Sequence, residues 1–117
     1  MPLILIKRDP DEVDDRLFAE IREKLPAIVA EELTISDPRG RLTPQEIEIW
    51  PFEKGLLDTG EKALQIVVIA NEYQGRLDVL DIRGEKIKEA LAKLMPVRLE
   101  GKSWVWILLA PAYFGEF

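Results

Sequence analysis

The chain has no cysteine and no histidine among its 117 residues. Without cysteine there is no disulfide, no thiolate nucleophile and no thiolate-bound metal. Without histidine the commonest general base and the commonest metal ligand are missing. Ser-His-Asp and Cys-His mechanisms are excluded. Proton transfer would fall to carboxylates, lysine, arginine, tyrosine or a terminal amine. An excess of positive charge is also lacking. Sixteen Lys and Arg against 22 Asp and Glu leave a net charge of −6 and a pI of about 4.8. Nucleic acid is therefore not an expected partner, because neutralising phosphates takes a basic face. Long hydrophobic runs are missing too. No window approaches the ~20 apolar residues of a membrane span. The opening apolar run, Leu3 to Ile6, is followed at once by Lys7 and Arg8, unlike a signal peptide. No membrane partner is expected, and the cytoplasm is the expected compartment.

What is present suits one globular unit. The chain is 47% hydrophobic and 32% charged, which predicts a single domain over residues 1–117. Leu3-Ile4-Leu5-Ile6 is continuously apolar, as in a strand covered on both faces. Asp9-Pro10-Asp11-Glu12 carries the marks of a helix start, with Asp9 at the N-cap, Pro10 at the first helical position and Glu12 completing a capping box. Val13, Leu17, Ile21, Leu25, Ile28, Val29 and Leu33 then recur at helical spacing. Pro26 interrupts this stripe and predicts a kink or break. Ser36 to Pro44 reads as a loop. Glu46 to Trp50 alternates like a half-buried strand. Pro51 and Gly55 to Gly60 read as the crossing into the second half.

Leu64 to Ala70 is the richest strand signal. A second helical stripe, Leu77, Leu80, Ile87, Leu91 and Leu94, places a helix from near Arg76 with Gly84 inside it. The alternative is a start at Gly84-Glu85. Pro96 stops the helix, and Trp104 to Leu109 reads as the fourth strand. Both halves thus have β-α-β order, a pseudo-repeat over 2–55 and 63–115. Each unit predicts a parallel strand pair with a right-handed crossover. Together they predict an α+β fold, one four-stranded sheet with both helices on one face. The other face, carrying Ile, Val and Trp, would be bare, and association of several copies is the expected cover.

Pro2 is the leading chemical candidate. Initiator methionine is normally removed before a small residue, and the chain would then begin with a secondary amine. An α-amino group titrates at about 7.7–8.0. An apolar pocket or nearby cations would lower that value and leave a base near neutral pH. Lys7 and Arg8 follow the first strand and Arg76 follows the third, beyond strand C-terminal ends where sites in parallel sheets gather. Tyr113 could donate a proton. Trp104 and Trp106 on the last strand read first as packing residues. The acidic clusters Asp9-Asp11-Glu12-Asp14-Asp15 and Asp78-Asp81 have no metal-ligand spacing.

The Met1-Pro2 start at the first strand of a doubled β-α-β resembles the tautomerase superfamily, the group of macrophage migration inhibitory factor and 4-oxalocrotonate tautomerase. With the tail Ala112-Tyr113-Phe114-Gly115, it looks closest to a small bacterial branch of that superfamily. The resemblance spans nearly the whole chain. It implies a tautomerase-like homotrimer without cofactor or metal. It also implies an isomerase, or related lyase, acting on a small anionic keto acid with Pro2 as general base. Arg39 or Arg41, in the loop where macrophage migration inhibitory factor has a carboxylate-binding lysine, would anchor the substrate. Trp106 falls near a tyrosine that the superfamily uses. Strand four carries no Asn, Arg or Tyr. A non-catalytic trimer that binds a ligand or protein through the same pocket is the alternative.

Overall fold

The computed structural model describes residues 2–113 and 115–117. Met1, whose removal the proline chemistry requires, and Phe114 of the tail lie outside the described residues. The order is β1 (Leu3–Arg8), α1 (Asp15–Leu33), β2 (Glu48–Glu53), β3 (Leu64–Asn71), α2 (Gln74–Leu77), α3 (Leu80–Ala92) and β4 (Ser103–Ala110). Short 3-10 turns at Pro38–Gly40 and Pro44–Glu46 lead into β2, and one at Val97–Leu99 leads into β4. The strands form one sheet in the order β2-β1-β3-β4. β1 pairs parallel with β2, and β3 parallel with β4. The two pairs meet in the antiparallel ladder between β1 and β3.

The sheet's two faces differ because side chains alternate along each strand. Ile4 and Ile6 of β1 and Leu64, Ile66, Val68 and Ala70 of β3 are buried toward the helices. They join Phe18, Ile21, Leu25, Val29 and Leu33 of α1 and Ile87 and Leu91 of α3 in one core. α1 contributes six buried residues and α3 two, so the first half of the sheet is covered more completely. On the opposite face the register aligns Trp50, Leu5, Val67 and Trp106 in one row across all four strands. Leu3, Ile69 and Leu108 form the next row. No element of the described residues packs on this face, and Trp106 is 58% exposed.

Several boundaries differ from the sequence reading. Asp9 does not cap α1. Its backbone N–H donates to the Ala63 carbonyl (2.8 Å), and its own carbonyl accepts from Glu12 and Val13. Residues 9–13 therefore form a turn pinned to the end of the sheet. The cap is Asp14, whose side chain accepts from the Leu17 N–H at 2.8 Å. Buried Val13 then sits at the position before the cap and Phe18 at the fourth helical position, the places of a hydrophobic staple. Pro26 does not break α1. The helix continues to Leu33; the carbonyl deprived of its donor belongs to Arg22, on the exposed side.

β2 begins two residues later than expected and contains Pro51 instead of ending before it. An edge strand tolerates proline because one of its sides needs no N–H. The second helical stripe divides into α2 and α3 between Leu77 and Leu80, so Leu77 is exposed. Gly84 lies inside α3.

Replacing Asp14 with alanine removes the α1 cap and is expected to lower stability by about 1 kcal/mol. Urea denaturation followed by circular dichroism measures it, and an unchanged midpoint would refute the assigned cap.

Candidate functional site

Strand direction decides which candidates meet. β1 and β3 are antiparallel, so their C-terminal ends lie at opposite ends of the sheet. Arg8 closes β1 at one end, and Arg76 follows β3 at the other. Pro2 opens β1 at the Arg76 end. A six-residue strand separates Pro2 from the Arg8 end by roughly 20 Å. Pro2 is buried, and its carbonyl accepts from the Glu48 N–H at 3.3 Å, extending the β1–β2 ladder.

Around the Pro2 end the chain assembles a group of cations on aromatic surface. Arg76 is 3% exposed. Its Nε donates to the carbonyl of Leu33 (2.8 Å), its Nη1 to that of Asn71 (2.9 Å) and its Nη2 to that of Gly40 (3.2 Å). The guanidinium lies 5.0 Å from the centre of the Tyr73 ring. Burial pushes its pKa down from the ordinary arginine value, but arginine stays charged from so high a start. Arg39 is exposed, and its guanidinium lies 5.4 Å from the same ring. It pairs with Asp37 at 2.7 Å. Arg41 is also exposed, on extended backbone after the 3-10 turn. Tyr73 escaped the sequence reading. Its only signal is an aromatic residue just past β3 and three positions before an arginine.

Arg8 belongs to a separate cluster at the far end. It is 8% exposed and pairs with Asp15 (2.7 Å) and with Glu53. It also donates to the Val13 carbonyl (3.2 Å) and stacks 4.7 Å from the Phe18 ring centre. These bonds tie the ends of β1 and β2 to the start of α1. The carboxylates of Glu53 and Asp15 raise the pKa of Arg8. Its fork is already occupied, and it is far from Pro2.

Trp106 sits mid-strand on the open face, in register with Val67 and Leu5, whereas Pro2 continues the buried alternation of Ile4 and Ile6. Within the chain the two are not brought together. Tyr113 is 95% exposed in the tail beyond β4, which leaves the sheet at the Pro2 end. An apolar hollow of about 320 Å³ lies at the opposite end, between the C-terminal part of α3 and the starts of β3 and β4. Leu64, Leu91, Met95, Leu99 and Trp104 line it, and it shares no residue with the Pro2 end. The charged cluster at the Pro2 end and this apolar hollow are therefore separate.

The Arg39–Asp37 pair makes a pH prediction. Hydrogen bonds from Arg39 hold the Asp37 carboxyl below its ordinary value of 3.8. The stabilisation from a depressed carboxylate is present above the unfolded value and is lost as pH falls through the folded one. Carbon-detected NMR titration is expected to give an Asp37 midpoint below 3.8 in the native chain, returning toward 3.8 in Arg39→Met. Equal midpoints in the two proteins would disprove the pairing.

No protein-family model and no curated protein matches this sequence. Solved structures do match its fold. 5-Carboxymethyl-2-hydroxymuconate delta-isomerase superposes with a TM-score of 0.67 at 14% identity, over 100% of this chain and 88% of that one. A fused 4-OT wild-type asymmetric trimer gives 0.63 at 15% identity, over 97% of this chain and 91% of that one. The macrophage migration inhibitory factor-like protein of Entamoeba histolytica gives 0.61 at 13% identity, over 94% and 89%. The strand order, the paired parallel crossovers and these superpositions agree, and the chain has the fold that these structures share.

Proposed function

We propose that the protein is a cofactor-independent tautomerase, or a related isomerase or lyase, acting on a small anionic keto or enol acid. Pro2 is the general base once Met1 has been removed. Arg39 or Arg41 anchors the substrate carboxylate, and Tyr113 or Trp106 of a neighbouring subunit completes the pocket wall. Residues 2–55 and 63–115 act as two copies of one β-α-β unit within a single domain. The observation that carries this reading is the burial of Pro2 at the head of β1, at the end of the sheet that also holds Arg39, Tyr73 and Arg76. Burial and neighbouring cations both favour the neutral amine, the form that accepts a proton. The delta-isomerase among the similar structures is in keeping with proton-transfer chemistry on this fold.

Assembly follows from the bare sheet face. Trp50, Leu5, Val67 and Trp106, with Leu3, Ile69 and Leu108, make a contiguous apolar surface wider than scattered exposed residues. A homotrimer buries it; the similar fused 4-OT structure is likewise a trimer.

One observation favours a second reading, a trimer that binds but does not catalyse. β4 reads Ser-Trp-Val-Trp-Ile-Leu-Leu-Ala. Apart from its tryptophans it offers one polar side chain, Ser103, at the end of the strand away from Pro2. It supplies nothing to polarise a substrate carbonyl.

Intact mass, taken before and after brief treatment with an amine-directed electrophile at pH 7, separates the two. Loss of Met1 with rapid single labelling at Pro2 is the expected result. Retained Met1 removes the base and leaves the binding reading. Where Pro2 labels, Pro2→Ala is expected to keep the assembly and to slow ketonisation of phenylenolpyruvate roughly hundredfold or more. Wild-type turnover in that variant would sink the proline mechanism.

Light scattering is expected to give three times the chain mass of 13.4 kDa. A stable monomer would contradict the covered-face argument.

A further inference from the structure

We infer that Arg39, and not Arg41, is the carboxylate anchor at the Pro2 end, and that Arg76 and Tyr73 are the positioning residues that hold it there. The nature of the ligand, a small carboxylic acid, rests on the proposed function, but binding through Arg39 requires no proline chemistry.

Arg76 starts the chain of support. Its buried guanidinium has no carboxylate partner among the described residues. Its hydrogen bonds go to carbonyls of three separate segments: the last residue of α1, the last residue of β3, and Gly40 of the loop before β2. The Leu33 carbonyl is at a helix C-terminus, where the helix dipole favours a cation. The Gly40 bond matters most, because Gly40 separates the two candidate arginines. Fixing its backbone fixes the directions in which residues 39 and 41 leave the loop.

Gly40 also allows a close approach that another residue would block. A Cβ at that position would collide with the Ile35 side chain and would lie 3.4 Å from Cδ2 of Tyr73. The loop therefore lies against Tyr73 because residue 40 has no side chain. The ring then carries both guanidiniums, Arg76 at 5.0 Å and Arg39 at 5.4 Å from its centre. Arg41 has no such support: among the described residues its side chain makes no hydrogen bond and no stack.

Arg39 keeps donors free. Asp37 accepts from its Nε and Nη2, and Nη1 makes no hydrogen bond among the described residues. The side chain is 74% exposed. The aromatic ring and Asp37 restrain the guanidinium before a ligand arrives, so less side-chain freedom is lost on binding. Its open edge, Nη1 with the outer hydrogen of Nη2, suits a single carboxylate approaching end-on. A small monocarboxylate keto acid fits that geometry.

The test is an NMR titration with sodium pyruvate at ionic strength held constant by sodium chloride, read on the arginine Nε–H signals. A saturable shift of the Arg39 signal, with none at Arg41, is expected. Arg76→Lys, which cannot reach all three carbonyls, is expected to bind at least fivefold more weakly. Tyr73→Leu should do the same, and Tyr73→Phe, which keeps the ring, should retain wild-type affinity. This contrast separates positioning from general loosening of the fold. If Arg76→Lys does not fold, the Tyr73 pair decides. A saturable shift at Arg41 instead, no saturable shift in the wild type, or wild-type affinity in Tyr73→Leu overturns the inference. Pyruvate binding through Arg39 in a chain whose Pro2 stays unlabelled would keep the anchor and lose the base, so the two readings fail separately.

Discussion

The antiparallel ladder between β1 and β3 is the constraint on which the rest of the structure depends. It joins two parallel pairs that would otherwise be separate, small sheets. It also decides what is near what. Because the central strands run in opposite directions, each end of the sheet combines the start of one half with the finish of the other. Pro2 therefore shares its surroundings with residues that follow β3, and Arg8 shares its own with the start of β3. Reversing that one pairing would exchange the neighbours of every candidate residue without altering either β-α-β unit.

The ladder also explains the one-sided core. Alternation sends Ile4, Ile6, Leu64, Ile66 and Val68 to the helices and Leu3, Leu5, Val67 and Ile69 to the opposite side. Strand segments that read as continuously apolar are apolar on both faces, but the helices cover only one. The helical cover is also uneven. α1 is long and richly buried, while α3 is short and leaves a hollow beside the start of β4.

What the sequence revealed, and what it hid, divides by distance along the chain. Short runs of apolar, β-branched and aromatic residues locate β3 and β4 to within a residue or two, because those signals are local. The β-α-β order follows from the same signals, and the sheet with it. Asp9-Pro10-Asp11-Glu12 has every local mark of a helix start, yet the backbone of Asp9 is committed to Ala63, more than fifty positions away, and the helix begins later. Pro51 reads as a strand breaker until the sheet order makes β2 an edge. Arg8 and Arg76 look equivalent from their strands, and only the antiparallel pairing sets them apart. Tyr73 could not be singled out, because its partners are assembled by the loop that Arg76 ties down. Local pattern was enough for the elements; the arrangement of charges at the sheet ends depended on pairings that no local pattern carries.

β4 has a consequence of a different kind. It is an edge strand, and residues 104–109 read Trp-Val-Trp-Ile-Leu-Leu, with no charge and no proline. The other edge, β2, carries Glu48, Pro51 and Glu53, residues that discourage further strand pairing. β4 has none of these guards, and six such residues in a row are of the kind that stacks into cross-β fibrils. The hazard is greatest for chains whose β4 edge is exposed before folding is complete, a state in which unpaired strand edges favour aggregation.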